Sequence, residues 1–222
     1  MAGFPSGFIW GTATAAHQVE GGNVNSDCWA LEMAEHSIFA EPSGDACDHY
    51  HLYDRDIALL KQLGFNAYRF SIEWARIQPE ENFFSVAALE HYRRVLGSCL
   101  AHGVMPMVTF HHFTSPLWFA RDGGWLEPSA ADRFARYCER AARALGDLIP
   151  YACTINEANL PLMITHHNEL ARGVTVQFQP ASINAIESWA KDQEGITSRA
   201  EAVRRLVDLG LRSDAKKPGP RE

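Results

Sequence analysis

Apolar positions along this chain switch repeatedly between strand-like runs and helical spacing. Phe8-Ile9-Trp10-Gly11-Thr12-Ala13 reads as a short buried strand. From Asp54 to Leu63, Ile57, Leu60 and the neighbouring Leu59 and Leu63 form a helical face, and Gly64 ends it as a C-cap. Phe65–Ile72 is an aromatic-rich strand. Ser85 predicts the N-cap of a helix whose inner face is Val86, Leu89, Leu96 and Leu100, closing before Gly103. Val104–Phe110 is a third strand. Ser129 and Asp132 make a start resembling a capping box for a helix carrying Phe134, Cys138, Ala141 and Leu145, and Tyr151–Ile155 is a fourth strand.

Strands separated by helices call for parallel pairing through right-handed crossovers. That leaves an open doubly wound sheet or part of a closed barrel. A doubly wound nucleotide fold would carry a glycine-rich turn after its first strand. Neither G-x-G-x-x-G nor G-x-x-x-x-G-K-[ST] occurs. The expected fold is therefore α/β, an incomplete (β/α)8 TIM-barrel type of about four βα units, half a barrel. Residues 1–222 read as a single partial barrel domain. Within it, 1–159 carry the βα units and 160–215 a diverged helical segment, with helices over Ser182–Gln193 and Ser198–Leu209. Residues 216–222 form a polar tail expected to be disordered.

Composition narrows the function classes. The 222 residues carry a formal charge of −7 and are 46% hydrophobic, the balance of a globular protein with one sizeable core. No Lys/Arg-rich run suits nucleic acid or an anionic membrane. No stretch reaches the roughly 18 apolar residues of a membrane span. The opening Met1-Ala2-Gly3-Phe4-Pro5 lacks the pattern of a secretory leader. Five cysteines, widely spaced and without C-x-x-C, suit reduced thiols, so the expected location is cytoplasmic. His166-His167-Asn168-Glu169 is not H-E-x-x-H, and adjacent histidines on a helix point apart, so it reads as a solvated face and no metal site is expected.

In a (β/α)8 barrel the functional groups gather at the C-terminal ends of the strands. Here the first strand leads into His17-Gln18-Val19-Glu20. The second contains Arg69 and ends at Glu73-Trp74, the third ends at His111-His112-Phe113, and the fourth at Asn156-Glu157. Amides, imidazoles, a guanidinium and carboxyls beside aromatic rings suit a sugar, whose hydroxyls need fixed partners. Glu157 is the sharpest candidate. Walled by aromatics, its carboxyl would lose hydration, hold a proton near neutral pH and deliver it to a glycosidic oxygen. The other reading is that Asn156 and Glu157 cap the next helix.

Four stretches carry a family resemblance. FPSGFIWGTATAAHQVEG (Phe4–Gly21) resembles the opening signature of glycoside hydrolase family 1, the β-glucosidase family. CDHYHLYDRDIALLKQLGFNAYRFSIEWARIQP (Cys47–Pro79) resembles its second strand with the preceding helix. TFHHFTSPLWFARDGGW (Thr109–Trp125) is similar to its third-strand loop, and TINEAN (Thr154–Asn159) to its acid/base motif. The resemblance implies hydrolysis of β-glycosides with retention and without metal or organic cofactor. It implies Glu157 as the general acid/base, and Gln18, His112 and Asn156 as partners of sugar hydroxyls. Arg69 would lie beneath the nucleophile, and Trp125 would be either an entrance wall or a buried structural aromatic.

The chain also departs from the pattern. The nucleophile motif T/S-E-N-G is absent, although a retaining glycosidase needs two carboxyls about 5–5.5 Å apart. Ala158 replaces the usual proline, and His112-Phe113-Thr114 replaces H-W-D. Glu20 and Glu73 read as braces of the barrel mouth rather than substitute nucleophiles. The expected function is thus a β-glycosidase completed by a C-terminal half, a complementary half-barrel chain or a second copy. The alternatives are a catalytically inactive carbohydrate-binding half-barrel and a truncated product without function of its own.

Overall fold

Four runs of the sequence become strands in the computed structural model, which describes residues 3–35, 37–161, 164, 180–193, 195, 202, 205 and 206. The strands are β1 (Gly11–Thr14), β2 (Ala67–Ser71), β3 (Met105–His112) and β4 (Tyr151–Asn156). They form one sheet in the order β1-β2-β3-β4, every pair parallel. Between β1 and β2 lie α1 (Ala16–Val19), α2 (Asp27–Glu32) and α3 (His49–Gln62). Between β2 and β3 lie α4 (Trp74–Ile77) and α5 (Val86–Ala101), and between β3 and β4 lie α6 (Leu117–Arg121) and α7 (Ala130–Leu145). Sequential parallel strands with helical crossovers are the repeating unit of a (β/α)8 barrel, as the sequence leads one to expect.

Two helices end alike. The Gly64 N–H bonds the Lys61 carbonyl and the Phe65 N–H that of Leu60, with Gly64 at φ 89°. After α5 the Gly103 and Val104 N–H groups bond Leu100 and Cys99, with Gly103 at φ 65°. Both are Schellman closures, which need a left-handed residue and so favour glycine. At the other end of α5 the Ser85 hydroxyl accepts the Ala88 N–H at 3.1 Å, the expected N-cap.

The core lies between the sheet and its helices. Tyr68 and Phe70 of β2, with Ile72 just after it, meet Val108 and Phe110 of β3, Leu89, Tyr92, Val95 and Leu96 of α5, and Tyr137 and Leu145 of α7. Trp74, 1% exposed, stacks on Tyr137 at 5.1 Å between centroids and bonds Gln78 through its indole N–H.

Several faces differ from expectation. Phe8, Ile9 and Trp10 precede β1 and are exposed. Phe8 and Trp10 form a three-ring cluster with Phe4, while Trp10 exchanges backbone and side-chain bonds with Asn66. Leu59 and Leu63 of the α3 region, and Val86 and Leu100 of α5, are exposed as well. The buried stripe of α5 is Leu89, Tyr92, Leu96 and Cys99, one helical face at spacings of three and four. Ser129 makes no capping bond: its backbone is already helical, and a turn closed by the Ala130 N–H on the Glu127 carbonyl starts α7 instead.

Contacts divide the chain into two compact units, Met1–Gly173 and Val174–Glu222. The described helix of the second is α8 (Pro180–Lys191), close to the expected Ser182–Gln193. Most of the expected helix Ser198–Leu209, the His166–Glu169 stretch and the tail lie outside the described residues. No helix of the described residues is long and apolar enough to cross a membrane.

Candidate active site

All five residues singled out by sequence sit at or near the C-terminal edge of the sheet, on β2, at the ends of β3 and β4 and just past β1. Parallel pairing with the observed register sets His112 opposite Asn156. Arg69 points its Nη1 at two acceptors, Asn156 Oδ1 at 3.1 Å and Thr109 Oγ1 at 3.2 Å. The guanidinium of the second strand and the amide of the fourth are therefore joined directly across β3. This bond also bears on the capping alternative, because Asn156 Oδ1 is engaged by Arg69.

His112 is 8% exposed, with its ring edge-on to Phe113 at 4.5 Å. Burial, then the nearby Arg69 charge, pushes its pKa down to about 4, so the imidazole is neutral at pH 7 and can donate at one nitrogen and accept at the other. Its Nδ1 is buried with no hydrogen-bond partner among the described residues. A buried nitrogen left unsatisfied is costly and is met by water or a ligand group.

Gln18 lies on α1, just beyond β1, with an exposed side chain that has no bonded partner among the described residues. Glu157 follows β4 directly. Its backbone is left-handed, at φ 46°, and its carbonyl accepts the Leu160 N–H at 2.8 Å. The side chain is exposed, so the aromatic enclosure expected around Glu157 is not supplied by the described residues. The structure thus joins Arg69, His112 and Asn156 and places Glu157 beside them, while Gln18 stands apart.

Trp125 packs as a structural aromatic. It meets His111 at 5.0 Å, Phe119 at 5.3 Å and Phe134 at 5.4 Å, and its indole N–H donates to Ser115 Oγ at 3.2 Å. Glu20 and Glu73 are both buried and bonded within the fold. Glu20 accepts Arg76 Nε at 2.9 Å and the Tyr92 hydroxyl at 2.9 Å, and burial, partly offset by Arg76, pushes its pKa up to about 7. Arg76 in turn lies over the Tyr50 ring, 4.5 Å from its centroid.

Sequence reasoning missed two polar clusters behind this edge. His17 Nε2 meets Glu32 Oε1 at 2.7 Å, and Glu32 Oε2 accepts the Ser43 backbone N–H and hydroxyl. Asp27, 2% exposed, accepts the N–H groups of Cys28 and Ser115. A polar residue within the opening motif was the available signal for His17; Asp27 had none, because its partner is 88 positions away.

A family model, glycosyl hydrolase family 1, matches residues 1–214. The chain belongs to glycosyl hydrolase family 1. β-Glucosidase A from Acetivibrio thermocellus is 38% identical over 170 residues, covering 73% of this chain and 38% of that protein. The human cytosolic β-glucosidase is 36% identical over 166 residues, covering 71% of the chain and 35% of the relative. Among solved structures, the β-glycosidase from Pyrococcus horikoshii superposes with a TM-score of 0.68 at 43% identity, covering 72% of this chain and 37% of that one. This family 1 chain therefore spans little more than a third of the length of these relatives, and its four-stranded sheet is part of the family's TIM barrel.

Proposed function

We propose that this chain carries the acid/base half of a β-glycosidase site, with Glu157 as general acid/base. Asn156 offers its amide hydrogens to a sugar hydroxyl, His112 and Gln18 bind neighbouring hydroxyls, and Arg69 holds Asn156 and lies beneath the place of the nucleophile. The observation that carries this reading is the Arg69–Asn156 bond with His112 set opposite Asn156. It supports the reading because Arg69, Asn156 and His112 lie side by side at the strand ends, with Glu157 next in the chain after Asn156. The names of the relatives, β-glucosidases and a β-glycosidase, favour β-glycosides as the substrate class.

In a retaining mechanism Glu157, protonated, gives its proton to the departing glycosidic oxygen as a carboxylate attacks the anomeric carbon. Glu157 then removes a proton from the water that releases the sugar. The attacking carboxylate is not among the residues of this chain that fit the family motif. It would come from a completing C-terminal half, a complementary chain or a second copy. A cytoplasmic setting is favoured by five free cysteines and by the likeness to the human cytosolic β-glucosidase.

The exposure of Glu157 favours one alternative, a carbohydrate-binding half-barrel without catalysis. Hydrolysis of 4-nitrophenyl β-D-glucoside by the chain completed with a C-terminal half that carries the attacking carboxylate, and by the same assembly with Glu157→Gln, separates the two. Turnover that falls about 100-fold or more in the variant supports the acid/base reading. Glucoside binding without turnover supports the alternative, and neither binding nor turnover overturns both.

A further inference from the structure

The turn after β3 is strained, and what holds it lies far away in sequence. Phe113 has a φ of 73°, and the Thr114 N–H bonds the His112 carbonyl at 3.0 Å. These features mark a three-residue γ-turn of the rare, strained kind. Strain at a residue other than glycine persists only where the surroundings over-determine it, and it clusters at functional sites.

Two buried carboxyl groups supply those surroundings. Glu73, 3% exposed, accepts the Thr114 hydroxyl on Oε2 at 2.7 Å while its Oε1 takes the Ala75 N–H at 3.1 Å. Asp27 accepts the Ser115 N–H on Oδ1 at 2.9 Å, and its own N–H donates to the Ser115 carbonyl at 2.9 Å. Glu73 is fixed in its turn, since its N–H donates to Tyr92 Oη at 3.0 Å and the Tyr92 hydroxyl donates to Glu20. The two residues that follow Phe113 are thus pinned from β2–α4 and from α2. His112, the residue before it, has a buried imidazole Nδ1 with no hydrogen-bond partner among the described residues, as does His111. Burying a carboxyl is costly, and a brace alone could use neutral groups.

We propose that Glu73 is a positioning residue for sugar binding: together with Asp27 it holds the His112–Thr114 turn in its strained form and so sets the aim of the His112 imidazole. The proposal rests on the reading of His112 as a sugar contact. Glu73 does not touch sugar; it acts through Thr114.

The test compares imidazole nitrogen resonances of the 222-residue chain with those of Thr114→Val and Thr114→Ser, with and without added glucose. Thr114→Val removes the donor to Glu73 at nearly constant volume. It is expected to shift the His112 resonances, leave those of His49 in place and weaken glucose binding about tenfold, the size of effect that one lost buried hydrogen bond produces. Thr114→Ser restores the hydroxyl and is expected to recover both. Should Thr114→Val not fold, Thr114→Ala carries the same expectation. Unchanged His112 resonances in the variant lacking the hydroxyl, or a serine variant that recovers neither property, overturn the proposal. A parent chain that binds no glucose overturns the sugar-contact reading instead, and the resonance comparison still decides the clamp.

Discussion

At the scale of single residues, the decisive pair is Arg69 and Asn156. Asn156→Asp keeps the size of the side chain and gives Arg69 an ionic partner, yet removes both amide donors. The expected result is a folded chain whose glucoside affinity drops about tenfold, read by calorimetric titration. Unchanged affinity would show that the amide hydrogens do not meet sugar. A second residue-scale prediction concerns pH. Burial, only partly offset by the Ser115 and Cys28 N–H groups, pushes Asp27 up to about 7 from 3.8. The folded chain therefore keeps a proton there that the unfolded chain releases. The sign follows: this contribution is full below about pH 4 and is lost as pH rises toward 7. Asn in place of Asp27 keeps the acceptor and cannot ionise. Unfolding free energies from urea titrations at pH 4.5 and 7 should differ less in Asp27→Asn than in the parent, by at least about 1 kcal/mol; an equal difference in the two would contradict a proton held at Asp27.

At the scale of elements, α5 offers the sharpest contrast. Leu96 is fully buried against the sheet, and Leu100, one turn on, is 47% exposed. Leu96→Ala should cost about 2–5 kcal/mol of stability, while Leu100→Ala should stay within about 0.5 kcal/mol, as measured by denaturant unfolding. The comparison also shows what the sequence could and could not reveal. The order of strands and helices was legible because period-two runs and helical spacing are local, and the Gly64 and Gly103 closures were marked by glycine itself. The inward face of α5 was less legible. Leucines at both Leu96 and Leu100 fit a helical stripe, and only the packed sheet decides which of them turns inward. Position along the strands brought His112, Asn156 and Arg69 into a wider polar set, and the family resemblance singled them out from it. The clamp could not, since Glu73 and Thr114 are 41 positions apart and Asp27 and Ser115 are 88 apart. Such long-range polar pairs leave no periodic trace. Nor could sequence foresee the exposure of Glu157, which depends on what covers the end of β4.

At the scale of the whole chain, the strand order leaves β1 and β4 each with one edge unpaired among the described residues. Open strand edges template further pairing, and an eight-stranded barrel has none. Completion by a second copy would pair each β4 with the other copy's β1 in parallel. If that route operates, light scattering behind size exclusion should give twice the mass implied by 24.8 kDa. A monomer at all concentrations would rule it out and leave completion to a different polypeptide segment. Either way the proposed sugar contacts His112 and Asn156 should keep their placement, because β3 and β4 pair within the sheet. The most direct measurement is therefore a titration of the chain with 4-nitrophenyl β-D-glucoside, followed through the side-chain nitrogen resonances of Gln18, His112 and Asn156. The account predicts that the three shift together with one saturation curve, and that Asn156→Ala abolishes the response. Shifts confined to other parts of the chain, or none at saturating glucoside, would contradict it.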